Sequence, residues 1–114
     1  MKTTKRQFER FKKEFNKWIS KFGLFDYQVE FFHTDLEENS FAKINATPDS
    51  CVVSVWFNKN LPLCPKYHSP ESSGKHEAIH LLLARLSILT SDEVTERVLI
   101  ENERIVRILE KLLR

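Results

Sequence analysis

Apolar residues recur along this chain in two different periods, and the switches between them divide it into elements. Residues 4–22, TKRQFERFKKEFNKWISKF, set Phe8, Phe11, Phe15, Trp18, Ile19 and Phe22 three or four apart, with lysines opposite. That stripe predicts an amphipathic helix, and Gly23 is placed to stop it. The period then shortens. YQVEFFHTD at 27–35 is aromatic and partly alternating, and LEENS at 36–40 reads as a turn. FAKINAT at 41–47 alternates, with Phe41, Lys43, Asn45 and Thr47 on one face. Thr47–Ser50 is a tight turn, and CVVSVWFNK at 51–59 is a third strand. Connections this short predict an antiparallel meander.

Residues 60–74, NLPLCPKYHSPESSG, hold three of the four prolines and read as irregular. The helical period returns from Lys75 to about Leu89. Thr90, Ser91 and Asp92 supply a turn and an N-cap, and a last helix is expected from about 92 to 113. Its predicted buried face is Val94, Val98, Ile105, Val106, Leu109 and Leu112. The expected fold class is α+β: an N-terminal helix, a three-stranded antiparallel sheet, then two helices, in a single domain spanning residues 1–114.

Composition agrees with a soluble globular domain: 114 residues, 41% hydrophobic and 30% charged. Two glycines and four prolines leave little room for disorder. The net charge of +2 hides an asymmetry. Residues 1–22 carry Lys2, Lys5, Arg6, Arg10, Lys12, Lys13, Lys17 and Lys21 against Glu9 and Glu14, so the remainder is net acidic. No helix-turn-helix, RNP or zinc-finger pattern accompanies the basic helix, so nucleic acid is not the expected partner. No apolar run is long enough for a membrane span, and no signal-peptide core is present, so a cytoplasmic location is expected. Cys51 and Cys64 lack CxxC spacing and read as free thiols, with Cys51 expected to be buried.

The chemistry concentrates in GKHEAIHLLLARL at 74–86. His76-Glu77-Ala78-Ile79-His80 matches H-E-x-x-H. Residues four apart lie one turn above each other on one helix face, so both imidazoles can bind one metal ion. Glu77 lies about 100° around from His76, placed to take a proton from water rather than to ligate. A catalytic zinc needs a third protein ligand. The segment IENERIVRILEKLL offers Glu101 and Glu103, with Glu96 and Glu93 further off. Asn102 falls near the middle of the expected buried face and the two glutamates flank it, so periodicity does not choose between them.

From residue 75 to 113 the chain resembles the zincin metallopeptidases, in particular the gluzincin pattern of H-E-x-x-H followed by Asn-Glu on a later helix. Asn102-Glu103 stands where that pair would stand. The layout is also similar to small phage- and prophage-encoded metallopeptidase-like proteins. The resemblance implies His76, His80 and Glu103 as zinc ligands and Glu77 as general base. There is no Met-turn and no third metzincin-type histidine, and the substrate-binding bulk of large gluzincins is missing. In zincin-like folds the strand before the active-site helix often pairs with extended peptide, which would be CVVSVWFNK here. Tyr67 and His68, just before the helix, are candidates for stabilising an oxyanion.

The expected function is therefore a zinc-dependent peptidase acting on a peptide or protein substrate. The competing expectation is a non-catalytic zincin-like protein-binding module of phage or prophage origin.

Overall fold

The computed structural model describes residues 2–36, 40–47, 50–61, 69–84 and 96–113, with side chains of the last segment from 103 onward. The first helix, α1, spans Lys5–Phe22. Thr4 caps it reciprocally: its hydroxyl accepts from Gln7 N at 3.1 Å, and Gln7 Oε1 accepts from Thr4 N at 2.8 Å. Gly23 ends it in the left-handed region at φ 73°. Phe11, Phe15, Trp18 and Ile19 are its buried residues, as the stripe requires.

The strands are β1 (Gln28–Thr34), β2 (Ala42–Thr47) and β3 (Val52–Asn58). Their order corrects the expected meander. The sheet is mixed, in the order β1-β3-β2, with β3 parallel to β1 and antiparallel to β2. Two physical reasons are visible. β3 buries Val53, Val55 and Phe57 almost completely, so the most apolar strand takes the centre. The chain leaving β1 then passes over the end of β3 instead of turning back. Asn58, 1% exposed, supports that crossing. Its Oδ1 accepts from Leu36 N at 3.1 Å and Asn60 N at 3.0 Å, and its Nδ2 donates to Ser40 O at 2.8 Å.

α1 lies across one face of the sheet. Phe11 stacks on Phe57 at 4.8 Å between ring centroids, and Phe15 meets Phe31 edge-on at 5.5 Å. The opposite face carries Glu30, Lys43 and Asn45, with Phe32 stacked on Trp56.

The second helix, α2, spans Pro70–Leu82, so it begins five residues earlier than its apolar pattern does. Ser69 is the cap, its side chain accepting from Ser72 N at 3.1 Å, and Pro70 occupies the first turn, where a missing N–H costs nothing. Gly74 sits where α2 crosses α1: a Cβ there would stand 2.7 Å from Phe11 O and 3.0 Å from Phe15 N. The third helix, α3, spans Glu96–Leu112 and packs on α2. Its expected buried face is corrected in part. Val106 is fully buried, but Ile105 and Leu112 are 43% and 70% exposed. The side chain of Val98, and Val94 altogether, lie outside the described residues.

Cys51 is half-buried at the turn before β3, in the left-handed region at φ 55°, with its Sγ 3.6 Å from Asp26 Oδ2. The expectation of a buried thiol is thus corrected by the turn geometry. Among the described residues, no helix is long and apolar enough to cross a membrane.

Candidate metal centre

α2 carries His76 and His80 one turn apart, on the flank that faces α3. The close approach at Gly74 fixes how α2 is rotated against α1, and with Glu77, Ala78, Ile79 and Leu81 buried, the two half-buried imidazoles are left to meet α3. α3 answers with Glu103, Val106 and Glu110, which share one helix face. Lys75 anchors the end of that helix. Its ammonium donates to Glu110 O at 2.6 Å and to Leu113 O, and lies 5.0 Å from the centre of the Trp18 ring. It therefore satisfies the last carbonyls of α3 while standing on α1.

Three side chains converge between the helices. His76 Nε2 is 3.0 Å from Glu103 Oε1, His80 Nε2 is 2.9 Å from Glu103 Oε2, and the two Nε2 atoms are 3.2 Å apart. Bonds of about 2.0–2.1 Å around a tetrahedral zinc put neighbouring ligand atoms roughly 3.3 Å apart. The spacing of the two imidazole nitrogens is close to that, and Glu103 meets them through its two different oxygens. Among the described residues these three side chains are the group able to hold a metal ion.

A second carboxylate explains the orientation. His76 Nδ1 is 3.0 Å from Glu110 Oε2. A carboxylate accepts only, so Nδ1 carries a hydrogen toward Glu110. Nε2 faces Glu103, also an acceptor, at 3.0 Å, which requires a proton or a cation between them: Nε2 donates its own hydrogen in the charged imidazole and offers its lone pair when a metal ion stands there. The His76 imidazole reflects this: burial pulls its pKa down, but the Glu110 hydrogen bond and the charges of Glu77, Glu110 and Glu103 outweigh burial and raise it. His80 is lowered, chiefly by burial. The donor set thus fits a divalent cation with two imidazoles and one carboxylate, the composition that favours zinc.

Glu77 is 7% exposed, and burial, opposed by His76 but reinforced by Glu103 and Glu110, pushes its carboxyl up to about 7. It borders the same open cleft, of about 860 Å³, as His76, His80, Glu103 and Glu110. A carboxyl with that affinity for protons, beside three side chains able to hold a metal ion, can exchange a proton with water at the border of the cleft.

Among the described residues Glu103 is the glutamate in contact with both histidines, and Glu110 contacts His76 alone. The side chains of Glu101, Asn102 and Glu96, and Glu93, Cys64, Tyr67 and His68 altogether, lie outside the described residues. The strand expected to offer a docking edge does not do so, because β3 is central and paired on both sides. β2 is the edge strand on the side of the cleft. Sequence reasoning missed Glu110 and Lys75. The signal for Glu110 was present in its spacing: seven residues, close to two full turns, separate it from Glu103.

No protein-family model matches the chain, and neither the curated proteins nor the solved structures contain a match.

Proposed function

We propose that the chain is a zinc-dependent peptidase. The observation that carries this reading is the convergence of His76 Nε2, His80 Nε2 and the Glu103 carboxylate to mutual distances of 2.9–3.2 Å at an open cleft bordered by buried Glu77. When bound there, zinc supplies Lewis acidity that eases the ionisation of water near neutral pH and polarises a carbonyl.

The chain's own residues do the rest. His76 and His80 would hold the metal through Nε2, with Glu103 closing the set from α3. Glu110 keeps the His76 hydrogen on Nδ1. Glu77 takes a proton from the attacking water at its carboxylate and returns it to the leaving amine. The outer edge of β2, unpaired among the described strands, offers main-chain N–H and C=O groups to an extended substrate, which brings a peptide carbonyl across the cleft.

The test pairs zinc content with cleavage of a peptide library. Wild type should hold one zinc per chain and cut. Glu77→Gln should keep the zinc and lose about 10²- to 10⁴-fold in rate, the usual contribution of a general base. A zinc-loaded wild type that cuts nothing, or a Glu77→Gln variant with unchanged rates, would overturn the catalytic reading and leave a zinc-holding binding module.

A further inference from the structure

The walls of the cleft differ in character. Ala42, Lys43 and Ile44 line it as consecutive residues, so the backbone edge of β2 meets it, not one face of the strand. Across from that edge, α3 presents Arg107 and Lys111, one helical turn apart. The acidic side chains of the cleft are already engaged. Glu77 is buried, Glu103 faces both imidazoles and Glu110 is bonded to His76. Arg107 is 71% exposed and forms only a loose ion pair with Glu103, its Nε 3.7 Å away and beyond hydrogen-bond range. Among the described residues Lys111 forms no ion pair. Lys43 leans away, its ammonium 5.8 Å from the Trp56 ring centre on the outer face of the sheet. The charge left for a ligand on the α3 wall is therefore positive.

We propose that the cleft selects extended peptides carrying an acidic side chain, with that carboxylate set against Arg107 and Lys111 while the main chain pairs with β2. The inference rests on the reading of this cleft as a peptide site. β2 is six residues long, so its edge can pair with a segment running through the cleft. An internal Asp or Glu side chain is accordingly the source of the carboxylate. A metal held by Glu103 would also weaken that glutamate's hold on Arg107, so the guanidinium is freer to meet a ligand in the loaded protein.

The experiment uses zinc-loaded Glu77→Gln protein, which separates binding from turnover. Fluorescently labelled peptides with amidated C-termini, identical except for Glu or Gln at one position, are titrated by anisotropy at low salt. A third peptide, with Gln and a free C-terminus, tests the terminal carboxylate as the alternative source. The Glu peptide should bind on the order of tenfold tighter than the Gln peptide, the effect of two partly exposed charge contacts. Adding Arg107→Gln and Lys111→Gln should bring the two within about twofold. Equal affinities in the parent protein overturn the proposal. So does a preference that survives in the double variant, a free C-terminus that binds as well as Glu, or no binding of any peptide. Zinc content measured on the same samples tells these failures from failure of the metal site, since each can occur with one zinc still bound per chain.

Discussion

On the proposed zinc reading, removing the Glu110 carboxylate should weaken zinc binding without removing a ligand. Its Oε2 lies 3.0 Å from His76 Nδ1, and both side chains are only about a fifth exposed. A charge-assisted hydrogen bond of this kind contributes about 1.5–3 kcal/mol. Loss of a second carboxylate that orients a metal-bound histidine typically costs about 10- to 100-fold in affinity, which is about 1.4–2.8 kcal/mol. The two ranges agree, so Glu110→Ala should weaken zinc binding by about 10- to 100-fold. Glu110→Gln keeps an acceptor oxygen but loses the charge, and should cost roughly three- to tenfold.

The assay is competition against a chromophoric chelator at neutral pH, with nitrogen-15 spectra of His76 reporting which ring nitrogen holds the hydrogen. The comparison is clean because Lys75 holds the end of α3 through the main-chain oxygens of Glu110 and Leu113, which neither substitution removes. Glu103→Ala is the reference for losing a ligand. Affinity within about twofold of wild type in Glu110→Ala would refute the orienting role. Loss as deep as in Glu103→Ala would refute it in the other direction, by making Glu110 a ligand.

Three further outcomes follow from the fold. Gly74→Ala gains about 1 kcal/mol of helix propensity but drives a Cβ to 2.7 Å from Phe11 O, a backbone atom; with overpacking costing about 1–3 kcal/mol, a net loss of up to about 2 kcal/mol is expected in urea unfolding, and a stabilised variant would refute the close approach. Asn58→Ala removes the three hydrogen bonds that carry the chain over β3 and should cost about 2–4 kcal/mol, while Asn58→Asp, which keeps an acceptor for Leu36 N and Asn60 N, should cost less; equal losses would refute the division. His33 packs against Phe8 and Phe57 with its Nε2 2.6 Å from Thr3 Oγ1, and burial, then Lys59, lowers its pKa below 6.5. A folded pKa below the unfolded one means that the unfolded chain binds more protons. This contribution is therefore complete above about pH 6.5 and is lost as the pH falls below that value. Wild type should lose stability relative to His33→Phe between about pH 7.5 and pH 5.5, and parallel profiles would refute the assignment.

What the sequence disclosed, and what it hid, divides along physical lines. The α1 stripe and its glycine stop were legible because one helix face does a single job, burying Phe11, Phe15 and Trp18. The strands were legible one by one, but their order was not. Local alternation carries no record of which strand takes the centre, and the device that permits the crossing is one asparagine at the end of β3. The proline-rich composition of residues 60–74 hides the start of α2, because the cap at Ser69 puts Pro70 in the one turn that tolerates it.

The most instructive misreading is on α3. Apolar periodicity assigned Ile105 and Leu112 to the interior, whereas the face turned to α2 carries Glu103, Val106 and Glu110, and Ile105, Ile108 and Leu112 are exposed. A helix placed by apolar burial alone would have rotated those three side chains inward. The ties to α2 on this face are instead a buried valine, the histidine–glutamate contacts and the Lys75 anchor. Each glutamate so buried loses hydration, and the loss is offset only if a positive charge stands opposite. Of the two imidazoles only His76 is held toward its charged form, and a divalent cation between them would complete the compensation. The departure from hydrophobic patterning and the candidate chemistry therefore have one cause, and the place where periodicity fails on this helix is where the metal reading is strongest.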